Sequence, residues 1–307
     1  MILSLANHKK PRSTVLAALC VALSAPSPKV AYALNLVSHG TFEMVSISTD
    51  GRLIVAADGG ECDFASGKYK GRSQKVYRIG RHGFLMSTGP TGLQKLDLSG
   101  HRIAELRFDD MVVDWAAKNQ DANVLDAASV VPDVLSRGTR DFLQRWSGGS
   151  VNIPSNNFSR IRDFLVGYVD GAVWLIPLYL DFDGHAFKLI PPAPNTSKRV
   201  LAPGDVFYWG QQVVADELLF GRDGEPLSQY KSRPLMQRFR TSIRGGQKFG
   251  DLSVSDALAI LQTIFDGTES AAGRAYAQRH EIGTPCVHPP NSFAVMKREG
   301  QVQWRSR

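Results

Sequence analysis

The stretch Phe42-Glu43-Met44-Val45-Ser46-Ile47-Ser48-Thr49-Asp50-Gly51-Arg52-Leu53-Ile54-Val55-Ala56-Ala57-Asp58 decides the fold. Its two apolar runs, residues 42–48 and 53–58, flank Asp50-Gly51, a dipeptide suited to the positive φ angles of a hairpin turn. Val45-Ser46-Ile47 and Leu53-Ile54-Val55-Ala56-Ala57 are apolar on both faces or nearly so, which suits a sheet covered on both sides. A second hairpin is expected over 75–80 and 83–88, around Arg81-His82-Gly83. Both hairpins carry polar or glycine residues at their strand ends: Gly40-Thr41 before the first strand, Asp58 after the second, Lys75 before the third and Gly89 after the fourth. Thr41, Asp58, Lys75 and Gly89 are spaced 17, 17 and 14 residues apart. Set side by side in a sheet, such ends gather a hydroxyl, a carboxylate, an amine and a backbone N–H about one point.

These four positions resemble the proteasome-type N-terminal nucleophile hydrolases, including the catalytic subunits of the proteasome and the bacterial HslV peptidase. The resemblance is strong over about residues 40–90, moderate over the last third of the chain and weak between. It implies that the Gly40–Thr41 bond is self-cleaved to expose Thr41. Asp58 and Lys75 then activate the nucleophile, and the Gly89 N–H serves the oxyanion. A Thr hydroxyl is a poor nucleophile without an adjacent base. A free α-amine, with a pKa near roughly 7.7–8.0, supplies that base from the same residue. Gly40, lacking a Cβ, lets the backbone take the strained turn that self-cleavage needs. An oxyanion donor such as the Gly89 N–H is worth roughly 3–4 kcal/mol. Two later motifs of the family are missing. Tyr208-Trp209-Gly210-Gln211-Gln212 stands where a Gly-Ser-Gly is usual, and Thr284-Pro285-Cys286-Val287-His288-Pro289 where an Asp-x-x-Ser-Gly is usual. The activating Ser and Asp therefore have no assigned counterparts.

The rest of the chain is compatible with an α+β fold, a four-layer αββα sandwich, which the resemblance also implies. Residues 59–74 read as a glycine-rich basic loop. Gly89-Pro90 reads as a helix start, interrupted at Leu98-Ser99-Gly100. Helices are expected over 109–119 and 124–146, the latter kinked or split at Pro132 and Gly138. Strands follow over 160–168, 172–180, 186–191 and 205–209, with Pro177 marking an edge or bulge. Ser253 and Asp256 open the clearest helix, with Val254, Ala257, Leu258, Leu261, Ile264 and Phe265 on one face. A second helical run covers 268–281. Residues 292–296 and 301–304 close the chain as a hairpin.

The formal charge of +7 misleads, because residues 1–33 hold Lys9, Lys10, Arg12 and Lys29 and no acid. The remainder carries +3, too little to argue for nucleic acid. Residues 1–33 read as a signal peptide: a basic start, an apolar run over 14–23 and Ala31-Tyr32-Ala33. The apolar run is shorter than the roughly 20 residues of a spanning helix. The expected division is thus a signal peptide 1–33 cleaved near Ala33, a short propeptide 34–40 and a single domain 41–307, exported to a periplasmic or secreted location. After cleavage Cys62 and Cys286 are the only cysteines, either one disulfide or two buried thiols. The seven histidines show no zinc spacing, and Asp181, Asp183 and His185 fit a turn rather than a calcium loop. No metal, no cofactor and no ATPase partner is expected. A homo-oligomer is compatible with the resemblance. Three functions fit: a self-processing threonine hydrolase of peptide or other amide bonds, an inactive scaffold or binding protein, and a small-molecule amidase or acylase.

Overall fold

The computed structural model describes residues 33–39, 42–62, 69–87, 89–97, 99, 101–146, 160–183, 186–190, 198–210, 212–224, 226–244, 252–280 and 286–306. Its first half runs β1 (Ala33–His39), β2 (Phe42–Ile47), β3 (Leu53–Ala57), β4 (Gly60–Cys62), β5 (Tyr69–Arg72), β6 (Val76–Ile79), β7 (Gly83–Met86), β8 (Gly89–Leu96), β9 (Arg102–Arg107), α1 (Phe108–Lys118) and α2 (Val124–Trp146). Its second half runs β10 (Arg160–Val169), β11 (Ala172–Phe182), β12 (Phe187–Leu189), β13 (Arg199–Leu201), β14 (Val206–Gly210), α3 (Val213–Phe220), α4 (Ser228–Lys231), α5 (Pro234–Arg244), α6 (Val254–Glu269), α7 (Ala271–His280), β15 (Ser292–Met296) and β16 (Val302–Ser306).

Two sheets form the centre. One has the order β14-β2-β3-β15-β16, and the other the order β12-β11-β10-β7-β6 with β13 also pairing β11. All their pairings are antiparallel. Strand alternation sorts the apolar runs into layers. Phe42 and Met44 of β2 pack with Leu218, Ile264 and Phe265 of the helices α3 and α6. Val45 and Ile47 of the same strand face Phe84, Met86 and Phe164 of the opposite sheet. The far side of that sheet, with Ile79, Leu85 and Leu165, packs on Val112 of α1 and Val131 and Leu135 of α2. Helices, sheet, sheet, helices: the fold is the αββα sandwich. Full burial of β2 and β3 on both faces follows from their place inside it.

Local chemistry explains most boundaries. Asp170 and Gly171 take φ values of 50° and 80°, the doubly left-handed turn that joins β10 to β11. The Ser253 hydroxyl accepts the Asp256 N–H at 3.1 Å and caps α6. Asn123 Oδ1 does the same for Leu125 and Asp126 at the start of α2. Pro177 lies between the β13 pairing at residues 173–175 and the β12 pairing at 180–182, so among the described residues β11 has no strand partner on that side at the residue that lacks an N–H.

Three local expectations are corrected. Gly89-Pro90 opens a strand, β8, which with β1 and β9 forms a further three-stranded sheet. Pro90 stands opposite Ser38 where the β1–β8 register shifts, a bulge that tolerates a missing N–H. A Cβ on Gly92 would lie 2.1 Å from the Leu106 carbonyl oxygen, so glycine there lets β8 and β9 approach. α2 runs unbroken through Pro132 and Gly138. A Cβ on Gly138 would sit 2.1 Å from the Met111 methyl, so this glycine serves close packing of α1 on α2 rather than a break. The basic loop after Asp58 contains the hairpin β4–β5, and residues 33–39 pair with β8 along their whole length.

Phe164 is buried between the sheets, with Trp209, Phe207 and Tyr179 rings at centroid distances of 3.9, 5.6 and 5.6 Å. Phe164→Ala should therefore lower the unfolding free energy by about 3–5 kcal/mol in urea titration. A loss below about 1 kcal/mol would mean that this layer is not the core described.

Candidate active site

Asp58 follows the last residue of β3 and Lys75 precedes β6, so strand ends from the two opposed sheets meet at this pair. Lys75 Nζ lies 3.0 Å from Asp58 Oδ1 and 2.9 Å from Oδ2, and both side chains are wholly buried. Three backbone amides complete the carboxylate. The Phe42 N–H donates to Oδ1 at 2.8 Å, and the Gly60 and His288 N–H groups donate to Oδ2 at 3.1 and 3.3 Å. The Asp58 N–H returns a bond to the Phe42 carbonyl at 3.2 Å. The amide through which Thr41 joins β2 is thus fixed on the carboxylate that holds Lys75.

The surrounding backbone keeps the pair in place. The Ser87 N–H donates to the Lys75 carbonyl at 2.9 Å, and the Gly59 N–H to the His288 carbonyl at 3.0 Å. A Cβ on Gly59 would lie 2.3 Å from the Pro290 carbonyl oxygen, and one on Gly60 would lie 2.8 Å from the His288 Cβ. The two glycines let residues 288–290 close over the strand end. A cavity of about 400 Å³ lies alongside, lined by both neighbours of Lys75, Gln74 and Val76, and by Pro290, Ser292 and Trp304.

Charge is unbalanced here. Glu43, on β2 opposite Ala57 and Trp209, is fully buried, and among the described residues neither carboxyl oxygen has a hydrogen-bond partner. Burial, then the nearby Asp163 carboxyl, holds Glu43 well above the usual carboxylate range; Lys75 opposes the shift. The direction of this shift favours the neutral form of Glu43. Burial likewise pushes Asp58 up and Lys75 down, while their mutual attraction resists both changes. Glu269 at the end of α6 is pushed up to about 7, first by burial, with Asn291 holding it down and Asp58 raising it.

Of the residues singled out in the sequence, Asp58 and Lys75 are brought together. Gly89 is the first residue of β8, opposite His39, one residue before Gly40. Gly40 and Thr41 themselves lie outside the described residues. Cys62 and Cys286 are bonded to each other, with Cα atoms 6.1 Å apart. Sequence reasoning passed over Glu43, Asp163, Glu269 and His288. Only Glu43 left a trace: an acid in the run 42–47 that alternation places beside Val45 and Ile47 in the inter-sheet face.

No protein-family model and no curated protein matches the chain. Among solved structures it is similar to an Anbu (Gly-1) mutant from Hyphomicrobium sp. strain MC1, at 15% identity, 87% of each chain and a TM-score of 0.42. It is also similar to Anbu from the same strain, at 13% identity, 86% of each chain and 0.43. A third is Anbu (ancestral beta-subunit) from Yersinia bercovieri, at 14% identity, 87% of this chain, 86% of that one and 0.42. These proteins are proteasome-like but form a distinct family. The resemblance to proteasome catalytic subunits and HslV is corrected accordingly. It rested on strand-end residues in one local stretch, and strand ends mark the fold, which several families share.

Two outcomes follow from the geometry. Lys75→Met leaves the Asp58 charge buried without its cation and should cost about 3–5 kcal/mol in urea unfolding; a cost below about 1 kcal/mol would deny the pair its buried, ionic character. For Glu269, whose pKa is raised from 4.5 to about 7, stability is fully present below 4.5 and lost as pH rises through 7. Glu269→Gln should therefore gain on wild type between these values, in melting temperatures taken across that range. Parallel curves would refute the assignment.

Proposed function

We propose that this chain is an exported, self-processing N-terminal threonine hydrolase that cleaves peptide or other amide bonds. One observation carries the reading: the Asp58 carboxylate binds Lys75 Nζ and, through Oδ1, the N–H of Phe42, the residue after Thr41. The group that tunes protonation and the backbone that carries the nucleophile share one anchor.

In self-cleavage the Thr41 hydroxyl oxygen attacks the Gly40 carbonyl carbon, giving its proton to a neighbouring base. The base passes that proton to the departing nitrogen as the C–N bond breaks, and Gly40 is left as an ester on Thr41 with the Thr41 amine free. Water then hydrolyses the ester, releasing the chain that ends at Gly40 as a carboxylate and restoring the hydroxyl. Gly89 pairs with His39, next to Gly40, and its backbone is the candidate donor to the oxyanion. In later turnover the Thr41 amine takes the hydroxyl proton and an amide substrate supplies the acyl group. Lys75, its pKa lowered by burial, sets the proton affinity around the nucleophile. This chemistry needs no cofactor, since one residue holds both nucleophile and base. The Cys62–Cys286 disulfide is consistent with an oxidising, exported location.

A specific observation supports the scaffold alternative. Residues 33–39 are built into a sheet with β8, so the segment preceding Gly40 has its own place in the uncleaved fold. The N-terminus decides between the two. Intact mass of the purified protein should give a chain beginning at Thr41, and the Thr41→Ala variant should begin at Leu34. If both begin at Leu34, the base amine never forms and the chain is a scaffold.

A further inference from the structure

Beyond the candidate active site, one cluster of side chains has the chemistry of a metal centre. Cys62 on β4 and Cys286 ahead of β15 are both buried, and they are joined across 224 residues of sequence. The ligand atoms of Cys62, Cys286 and His288 all lie within 4.8 Å of one another. His288 is held where it stands. Its ring packs on Tyr69 at a centroid distance of 4.6 Å, and its Cβ fills the space left by Gly60. Its backbone is pinned by the bonds to Asp58 and Gly59.

We infer that the reduced chain binds one zinc ion through Cys62 Sγ, Cys286 Sγ and a ring nitrogen of His288, so that disulfide and metal are alternative cross-links at one place. Two thiolates and one imidazole are a soft S₂N set suited to zinc. In a tetrahedral site, bonds of about 2.3 Å to sulfur and 2.0–2.1 Å to nitrogen separate the ligand atoms by roughly 3.5–4 Å. Reaching that spacing requires the two sulfur atoms, bonded to each other in this structure, to move apart once the disulfide is reduced. A dithiol reductant supplies two electrons and two protons, becoming a disulfide as the Cys62–Cys286 bond breaks into two thiols. Zinc then displaces both thiol protons into solvent, and water takes the fourth position. In reverse, a disulfide oxidant accepts two electrons from the thiolates, the S–S bond forms and zinc leaves. Either cross-link ties β4 to residues 286–288 and keeps the His288 N–H on Asp58. The inference does not depend on the hydrolase reading.

The test uses the untagged chain in a Cys20→Ser background, reduced anaerobically with a phosphine, given zinc or cobalt(II), and gel-filtered. Expected are one zinc per reduced chain, essentially none on the oxidised chain, and a thiolate-to-cobalt charge-transfer band in the near ultraviolet. Loss of a ligand in Cys286→Ser or His288→Ala should weaken binding by more than about tenfold. His288→Ala keeps both thiols and the backbone bonds, so it separates ligation from folding, which circular dichroism follows in every sample. Zinc retained equally by the variants, no zinc on the reduced wild type, or a reduced chain that unfolds and is not restored by zinc would each overturn the proposal.

Discussion

The buried Lys75–Asp58 pair is the interaction on which the arrangement of this protein's strand ends depends. Removing two charges from water costs several kcal/mol per ion, and their attraction repays it only when the remaining lone pairs are satisfied. Here they are satisfied by backbone. The amides of Phe42, Gly60 and His288 complete the carboxylate, so the starts of β2 and β4 and the approach to β15 are all tied to one side chain. A change in any of these segments leaves part of a buried anion exposed to an apolar wall. The same anchoring that stabilises the fold prepares the site, because the segments it immobilises are those that carry or flank the candidate chemistry.

Around this centre the sandwich is conventional in its physics. Alternation sorts each strand between a helix layer and the opposite sheet, and the aromatic group around Phe164 fills the gap between sheets. What is added is the β1-β8-β9 sheet, laid where a helix start is the local expectation. Glycine and proline at residues 89–92 are as compatible with a bulged, closely approached strand as with a helix N-terminus. The decision lies with β1, which pairs with β8 over residues 33–39. Backbone hydrogen bonds to a distant segment outweigh weak local propensity.

Excess acid is the other feature of the centre. Glu43 lies close enough to Lys75, Asp58 and Asp163 to feel all three, and burial with the Asp163 carboxyl holds its pKa well above the usual carboxylate range. The Cys62–Cys286 link closes the region from the side of residues 286–291, which bear the backbone donor to Asp58.

The chain by itself determined a good deal: the two leading hairpins, α1 and α6, the strands β10 and β11, the closing hairpin and the sandwich class. It also pointed to Asp58 and Lys75 as meeting residues. These are legible because turn dipeptides, caps and apolar periodicity are local, and because strand ends in adjacent hairpins fall together. It did not reveal β1, β8 and β9, the role of Gly138, or the carboxyls of Glu269 and Asp163 near the pair. Nor did it decide between a disulfide and two thiols for Cys62 and Cys286. Those depend on contacts between residues far apart in sequence, where no local period exists to be read. Tertiary structure alone decided them, since which distant backbone supplies a partner, and how much water it excludes, is settled only when the layers close.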